Sequence, residues 1–516
     1  MTIEILGRPE LFEDKNGPQL WVDEAIWGHR LHDEQSPWLT FMEFLTVLLA
    51  EHKAGRTLVE GALNSLSYRP QVQLKLRNIV FNNPHIMTVE AEARSDDMAW
   101  SLWLDKMAQS AGGLEHPDFS YLRDRFELFQ DFAAVVKFLQ GSAIEGTSNK
   151  RWSSKFVFPF GPSALYEDVS VSPKGGISTD RRFFARTGEI LYLMLCRSGR
   201  SADLRQKLVE KFLENPAPYD GMVRALQGEP QLARVERAGS FLPCSSHPIF
   251  DQLAEDWLAI LAMPIPAYDM IPHLVSVTGL NIILYQLDRS REVLERDPAT
   301  IVCEIVSPRK TVVRDLSADS FQHNNMLSQQ ALERYIRAAT EGPDWIAAVA
   351  SDEPMLNAAD ILKKAFDWPD PDESEDIADD PEQLVAKLVD RALTRHRQHV
   401  GKVHATWARA IGLSSRRSSR RVRYAPTDRL LKTLVITCVE RRIEFKDFLA
   451  RLYDRYGIII GDGQARAFVD NGDADQEDFS DNARRLEERL ASLGLLKRLS
   501  DSCAYVENPF YRSEST

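Results

Sequence analysis

The sequence predicts a mainly α, α+β chain built of several domains: a large helical N-terminal and middle region, an acidic linker and a compact C-terminal module. Three observations predict it. Apolar residues recur at helical spacing along most of the chain. Residues 367–382 contain nine acids, three prolines and no base, the composition of a solvated connector. The final stretch alternates helical and strand-like runs punctuated by glycine. A length of 516 residues leaves room for two to four domains. The expected division is 1–140 helical and aromatic-rich, 141–366 mainly helical with a small sheet, 367–382 linker, 383–426 basic helix and arginine-rich loop, and 427–516 terminal module.

In the first domain Phe41, Leu45, Leu48 and Leu49 mark one helix face. Ser95 is placed to cap a helix carrying Trp100, Trp103, Leu104 and Met107. Leu122, Phe126, Phe129, Ala133 and Val136 form another stripe, and Val72, Leu74 and Leu76 alternate as in a strand. These tryptophans read as core. In the second domain, Thr179 is expected to cap a helix that Gly199 ends. The apolar runs 281–287 and 300–306 read as strands of a small sheet.

Charge reverses after the linker. Residues 391–432 carry twelve bases against one acid, a local charge of +11. The densest part is SSRRSSRRVRY, residues 414–424, with Arg416, Arg417, Arg420, Arg421 and Arg423. Guanidinium groups bind phosphate bidentately, so this segment and Lys432 are the leading nucleic-acid candidates. Tyr424 is a stacking candidate beside them. The competing reading is a solvated loop neutralised by the acids of the linker.

The terminal module opens at Pro426 and Thr427 with a helix carrying Leu430, Leu431, Leu434, Val435, Cys438 and Val439. A second helix carries Phe445, Phe448, Leu449, Leu452, Tyr453 and Tyr456 and stops at Gly457. A short strand follows at 458–460. Ser480 is expected to cap a third helix ending at Gly494, and LLKRLSDSCAYVE reads as a hairpin turning at Asp501 and Ser502. Helix, helix, strand, helix, hairpin resembles the plan of a winged-helix domain. The resemblance implies that the third helix meets DNA. Arg484, Arg485 and Arg489 lie on that helix, and Lys497 and Arg498 on the wing. Asp470, Asp473, Asp475, Glu477, Asp478 and Asp481 oppose that contact, because acids at the helix start repel phosphate.

The net charge of −13 excludes nothing about DNA, since binding depends on local charge. Five dispersed cysteines, without CxxC spacing, argue against a disulfide framework or a cysteine zinc site and fit a reducing cytoplasm. No secretory signal and no membrane span are expected. GSAIEGTS, residues 141–148, has Thr147 where a phosphate-binding loop needs lysine. His29, His32, Asp33 and Glu34 are close enough to ligate a metal or share a proton, but with no second histidine cluster to complement them a capping or surface loop is the favoured account. His396, His399 and His404 have cationic neighbours, which disfavours a metal. Asp297, Glu304 and Lys310 lack the spacing of a nuclease set. Lys174, Gly175, Gly176, Arg181 and Arg182, with Arg186, form an anion-binding candidate ahead of a helix; the favoured reading is a helix anchored by Phe183 and Phe184. No cofactor is expected.

The expectation is therefore a non-enzymatic, DNA-associated subunit of a bacterial multi-protein system, of the restriction or antiphage-defence kind. Its partners would be DNA and an NTPase or nuclease subunit. The alternatives are an enzyme using the His29–Glu34 cluster or the Gly175 loop, a protein-docking scaffold, and a transcriptional regulator.

Overall fold

The computed structural model describes residues 4–8, 20–29, 31, 35–59, 66–73, 79–80, 83, 85–110, 118–142, 161–165, 167–171, 177–179, 186–214, 219–228, 231–233, 236–308, 311–368, 380–416, 421–500 and 503–511. Helices dominate these residues, with short strands between them.

The centre of the molecule is the 28-residue helix Ala267–Leu294. Helices Pro248–Leu261 and Val312–Ala338 pack along it. Residues Asn281–Leu287, expected as a strand, lie in its middle and are all buried. A helix covered on every side has no polar face, so its sequence loses the 3.6-residue period that would have identified it. By length and composition this helix could cross a membrane, yet 89% of its apolar window is buried inside the protein. The second expected strand does form, at Ile301–Val302.

Helix Pro37–Lys53, which carries Phe41, Leu45 and Leu48, packs on helix Thr187–Cys196. They come close at Gly188, where a Cβ would lie 2.6 Å from Glu43 Cβ and Phe44 N. Glu43 uses that closeness. Its carboxylate accepts from Arg186 N at 3.0 Å and Gly188 N at 2.7 Å, satisfying donors at the helix start. Thr179 does not cap this helix; it belongs to strand Ile177–Thr179, paired antiparallel with Glu167–Val171.

The stripes around Trp100 and Phe129 meet in a core of their own, while the stripe of Phe41, Leu45 and Leu48 belongs to the main core. Trp100, Trp103, Phe129 and Phe132 interlock, with Trp103 and Phe132 centroids 4.7 Å apart. Ser95 Oγ accepts from Met98 N at 3.3 Å, as expected of a cap. The stripe from Leu122 to Val136 divides into helices Tyr121–Arg125 and Phe129–Ser142, and Asp96 accepts from Phe129 N at 2.6 Å at the second start.

The C-terminal region contains the three predicted helices, Asp428–Cys438, Phe445–Tyr456 and Gln476–Ser492, with an unexpected short helix, Arg466–Asp470, before the last. Thr427 caps the first, its Oγ1 accepting from Leu430 N at 3.4 Å. Gly457, at φ +64°, ends the second. Asp475, not Ser480, precedes the third, and Asp478 reaches back to Asp475 N at 3.1 Å. The hairpin is Leu496–Ser500 with Cys503–Glu507. A strand absent from the sequence reading, Arg442–Glu444, pairs antiparallel with Cys503–Glu507 and completes a three-stranded sheet.

This region shares its core with the rest of the protein. Strand Ile458–Ile459 runs parallel to Ile301–Val302. Buried Asn482 donates to Cys303 O at 2.9 Å and Ile460 O at 3.0 Å, and accepts from Ile305 N at 2.8 Å. Asp256 accepts from Arg455 at 2.7 Å and the Tyr456 hydroxyl at 2.8 Å. One apolar cluster extends from Leu20 to Val506.

Candidate nucleic-acid interface

The basic tract begins inside the protein. On helix Pro381–Gln398, Arg395 is ion-paired with Glu24, and buried His396 lies 2.7 Å from Asp23 and 2.9 Å from Ser328. Residues 414–424 then form a hairpin base, with Ser414–Ser415 antiparallel to Arg423–Tyr424. The base rests on helix Val312–Ala338. Tyr424 O accepts from Glu304 N at 3.0 Å and from Ser317 Oγ at 2.8 Å.

Two residues at this base depart from the expectation of a phosphate-facing segment. Arg423 is 1% exposed and ion-paired with Glu304, whose other oxygen accepts from Arg314 Nε at 2.8 Å. An arginine enclosed in that pair does not reach phosphate. Tyr424 is fully buried, so its ring offers no stacking face to a base. Its hydroxyl accepts from Asn324 at 3.1 Å and lies 2.7 Å from His404 Nε2. Burial pushes the His404 pKa down to about 4, so the ring is neutral. Asn325 Oδ1 at 3.2 Å from Nδ1 assigns the proton to Nδ1, leaving Nε2 to accept from Tyr424.

The other expected contacts lie on the outside or beyond description. Arg416 and Lys432 are exposed. Arg421 is exposed and ion-paired with Asp319. Arg417 and Arg420 lie outside the described residues. On the third helix, Arg484 meets Asp481 and Arg489 meets Asp428, each at 2.6 Å. Arg498 on the hairpin meets Glu487 at 2.6 Å. Arg485 is half-buried and Lys497 exposed. The acidic neighbours thus engage three of the five cations expected on this helix and wing.

The linker's edges are also paired, Asp367 with Arg8 and Glu382 with Arg337 at 3.2 Å, while 369–379 lie outside the described residues. So do residues 143–150, Lys174, Gly175, Gly176, Arg181, Arg182, Phe183, Phe184, His32, Asp33 and Glu34. Arg186, the described member of the anion candidate, donates from Nε to Glu189 at 2.8 Å and from Nη2 to Ala238 O at 2.8 Å. His29 is buried with its ring stacked on Trp21. Among the described residues, no group of three acids, histidines or cysteines is arranged to hold a metal.

Sequence reasoning passed over Asn482 and Asp256 and weighed Glu304 only within a rejected nuclease set; all three are buried polar groups that join the C-terminal region to the middle of the chain. Glu304 did leave a signal. It is the one charge within the apolar run TIVCEIV, and a buried carboxylate needs a cationic partner.

Residues 395–508 match the model of the family described as methylation-associated defense system protein MAD7. The match opens at Arg395, spans the hairpin base and closes just after strand Cys503–Glu507. No curated protein matches the chain.

Proposed function

We propose that this chain is a DNA-associated, non-enzymatic subunit of a bacterial multi-protein defence system, acting in the cytoplasm beside an NTPase or nuclease partner. The observation that carries the reading is the coincidence of the family match with the basic tract and the helical module that follows it. The order helix, strand, helix, strand, short helix, helix, hairpin over residues 428–507 supports a winged-helix-like module, because strand Arg442–Glu444 joins the hairpin sheet. Its affinity for duplex DNA comes from phosphate contacts and is nearly independent of sequence.

Arg416, Arg417, Arg420 and Arg421 make those contacts; Arg423 serves the protein's interior. With four phosphates neutralised, log K falls against log salt with a slope of about −3 to −4. The test is fluorescence anisotropy of a labelled duplex with the full-length protein across a salt series. Changing the four arginines to alanine should flatten the slope and weaken every sequence alike. Absence of binding near about 50 mM salt, where such contacts are strong, rejects the DNA reading.

A second reading has its own support. The pairs Arg484–Asp481, Arg489–Asp428 and Arg498–Glu487 leave the third helix with a mixed-charge surface, which suits docking to a protein. In that case the helix addresses the partner subunit while the arginine segment addresses DNA.

A further inference from the structure

A cleft of about 470 Å³ opens where helices Pro248–Leu261 and Asp428–Cys438 both end, beside residues 508–511. Small residues leave room for it: Ala259 and Ala262, three apart, line one side. Met263 and Phe510 give it an apolar wall. Asn508 fixes that wall, its amide donating to Val439 O at 2.8 Å and its Oδ1 accepting from Phe510 N at 3.0 Å. The volume lies within the range of small-molecule sites, roughly 300–1,000 Å³.

Two opposite charges line the same cleft, Glu440 and Arg451. Arg451 Nη1 donates to Cys438 O at 2.8 Å, which orients its guanidinium, while Glu440 is exposed and makes no ion pair among the described residues. The carbonyl ends of both helices add partial negative charge at this point. A cation is therefore favoured by Glu440 and the helix ends, and a carboxylate by the Arg451 fork. A nucleotide, whose only charged groups are anionic phosphates, would meet one arginine and an opposing carboxylate. A purely apolar molecule would desolvate both charges without replacing their hydrogen bonds.

We propose that this cleft binds a zwitterion of the free α-amino-acid class with an apolar side chain. The ammonium lies toward Glu440, the carboxylate on Arg451 and the side chain against Met263 and Phe510. The site is independent of the DNA reading.

The test is titration calorimetry of the full-length protein with L-phenylalanine and L-leucine. N-acetyl-L-phenylalanine and L-phenylalanine amide are the controls, each lacking one charge. Saturable binding of a free amino acid is expected, with each blocked form weaker by about tenfold or more. Glu440→Gln should weaken the free amino acid by about tenfold and leave the N-acetyl form unchanged. Ala262→Leu, at an exposed position, should fill the cleft and abolish binding without lowering the melting temperature. No saturable binding up to about 10 mM, or equal binding of free and blocked forms, overturns the proposal. So does binding unaffected by Ala262→Leu.

Discussion

The aromatic unit built on residues 79–142 and the C-terminal region from 428 onward are both helical, yet they are held in opposite ways. The first closes on itself: among the described residues, its tryptophans and phenylalanines form a core that receives only Ala164, Val223 and Leu226 from later in the chain. The second takes a strand partner, a buried carboxylate, the Cys303 carbonyl and the Ile305 amide from residues 256 to 305, and its apolar side chains belong to the main core. A self-contained unit can fail locally. A region whose buried polar groups find their partners elsewhere takes those partners with it.

The sharpest way to break this contrast is Glu304→Ala. It strips Arg423 and Arg314 of their shared carboxylate and should cost about 3–5 kcal/mol, because a buried guanidinium is left uncompensated. Chemical denaturation should show the C-terminal region and the middle helices losing stability together. Trp103→Ala should cost a similar ~3–5 kcal/mol in the aromatic unit, through lost burial and the loss of its indole bond to Asn83 at 3.0 Å. Calorimetry should then resolve an early local transition, with the main transition unchanged. A single shifted transition would contradict the separateness of that core.

Acid should act on the shared core with a smaller effect. The folded pKa of His404, about 4, lies below its unfolded value, so the unfolded chain takes the proton first. Its contribution is fully present above pH 6.5 and is lost as pH falls toward 4, by about 3 kcal/mol in all. His404→Gln should flatten that part of the stability profile. The smallest effect is expected from a protease nick between residues 368 and 380, where an acidic, proline-bearing segment is the preferred site. Helices Pro354–Phe366 and Pro381–Gln398 contact each other across it, so the fragments should co-elute on gel filtration. Separation into two species would show that the common core is weaker than its apolar extent implies.

Legibility in the sequence followed the same division. Thr427 and Gly457 announced helix ends because caps act locally, and the amphipathic stripes of the terminal helices survived because one face of each meets water. Strand Arg442–Glu444 was not legible: three residues with charged ends become a strand only by pairing with Cys503–Glu507. The middle of helix Ala267–Leu294 misled for the reason given above, full burial. Within the arginine run nothing local separates Arg423 from Arg421. Which one turns inward depends on Glu304, more than a hundred positions away.

The distance between such partners bears on how the chain comes to be folded as it is made. Strand Ile301–Val302 waits for Ile458–Ile459, and Asp23 waits for His396. Each contact closes a long loop, whose entropic cost must be met before the contact rewards it. During synthesis the aromatic unit has its described core residues once position 226 has emerged, whereas Asp23 and the strand at 301 can pack on the middle helices but lack these two partners until the C-terminal region is available. Those unpartnered stretches are where a chaperone would engage the nascent chain, and where premature release would lead to aggregation.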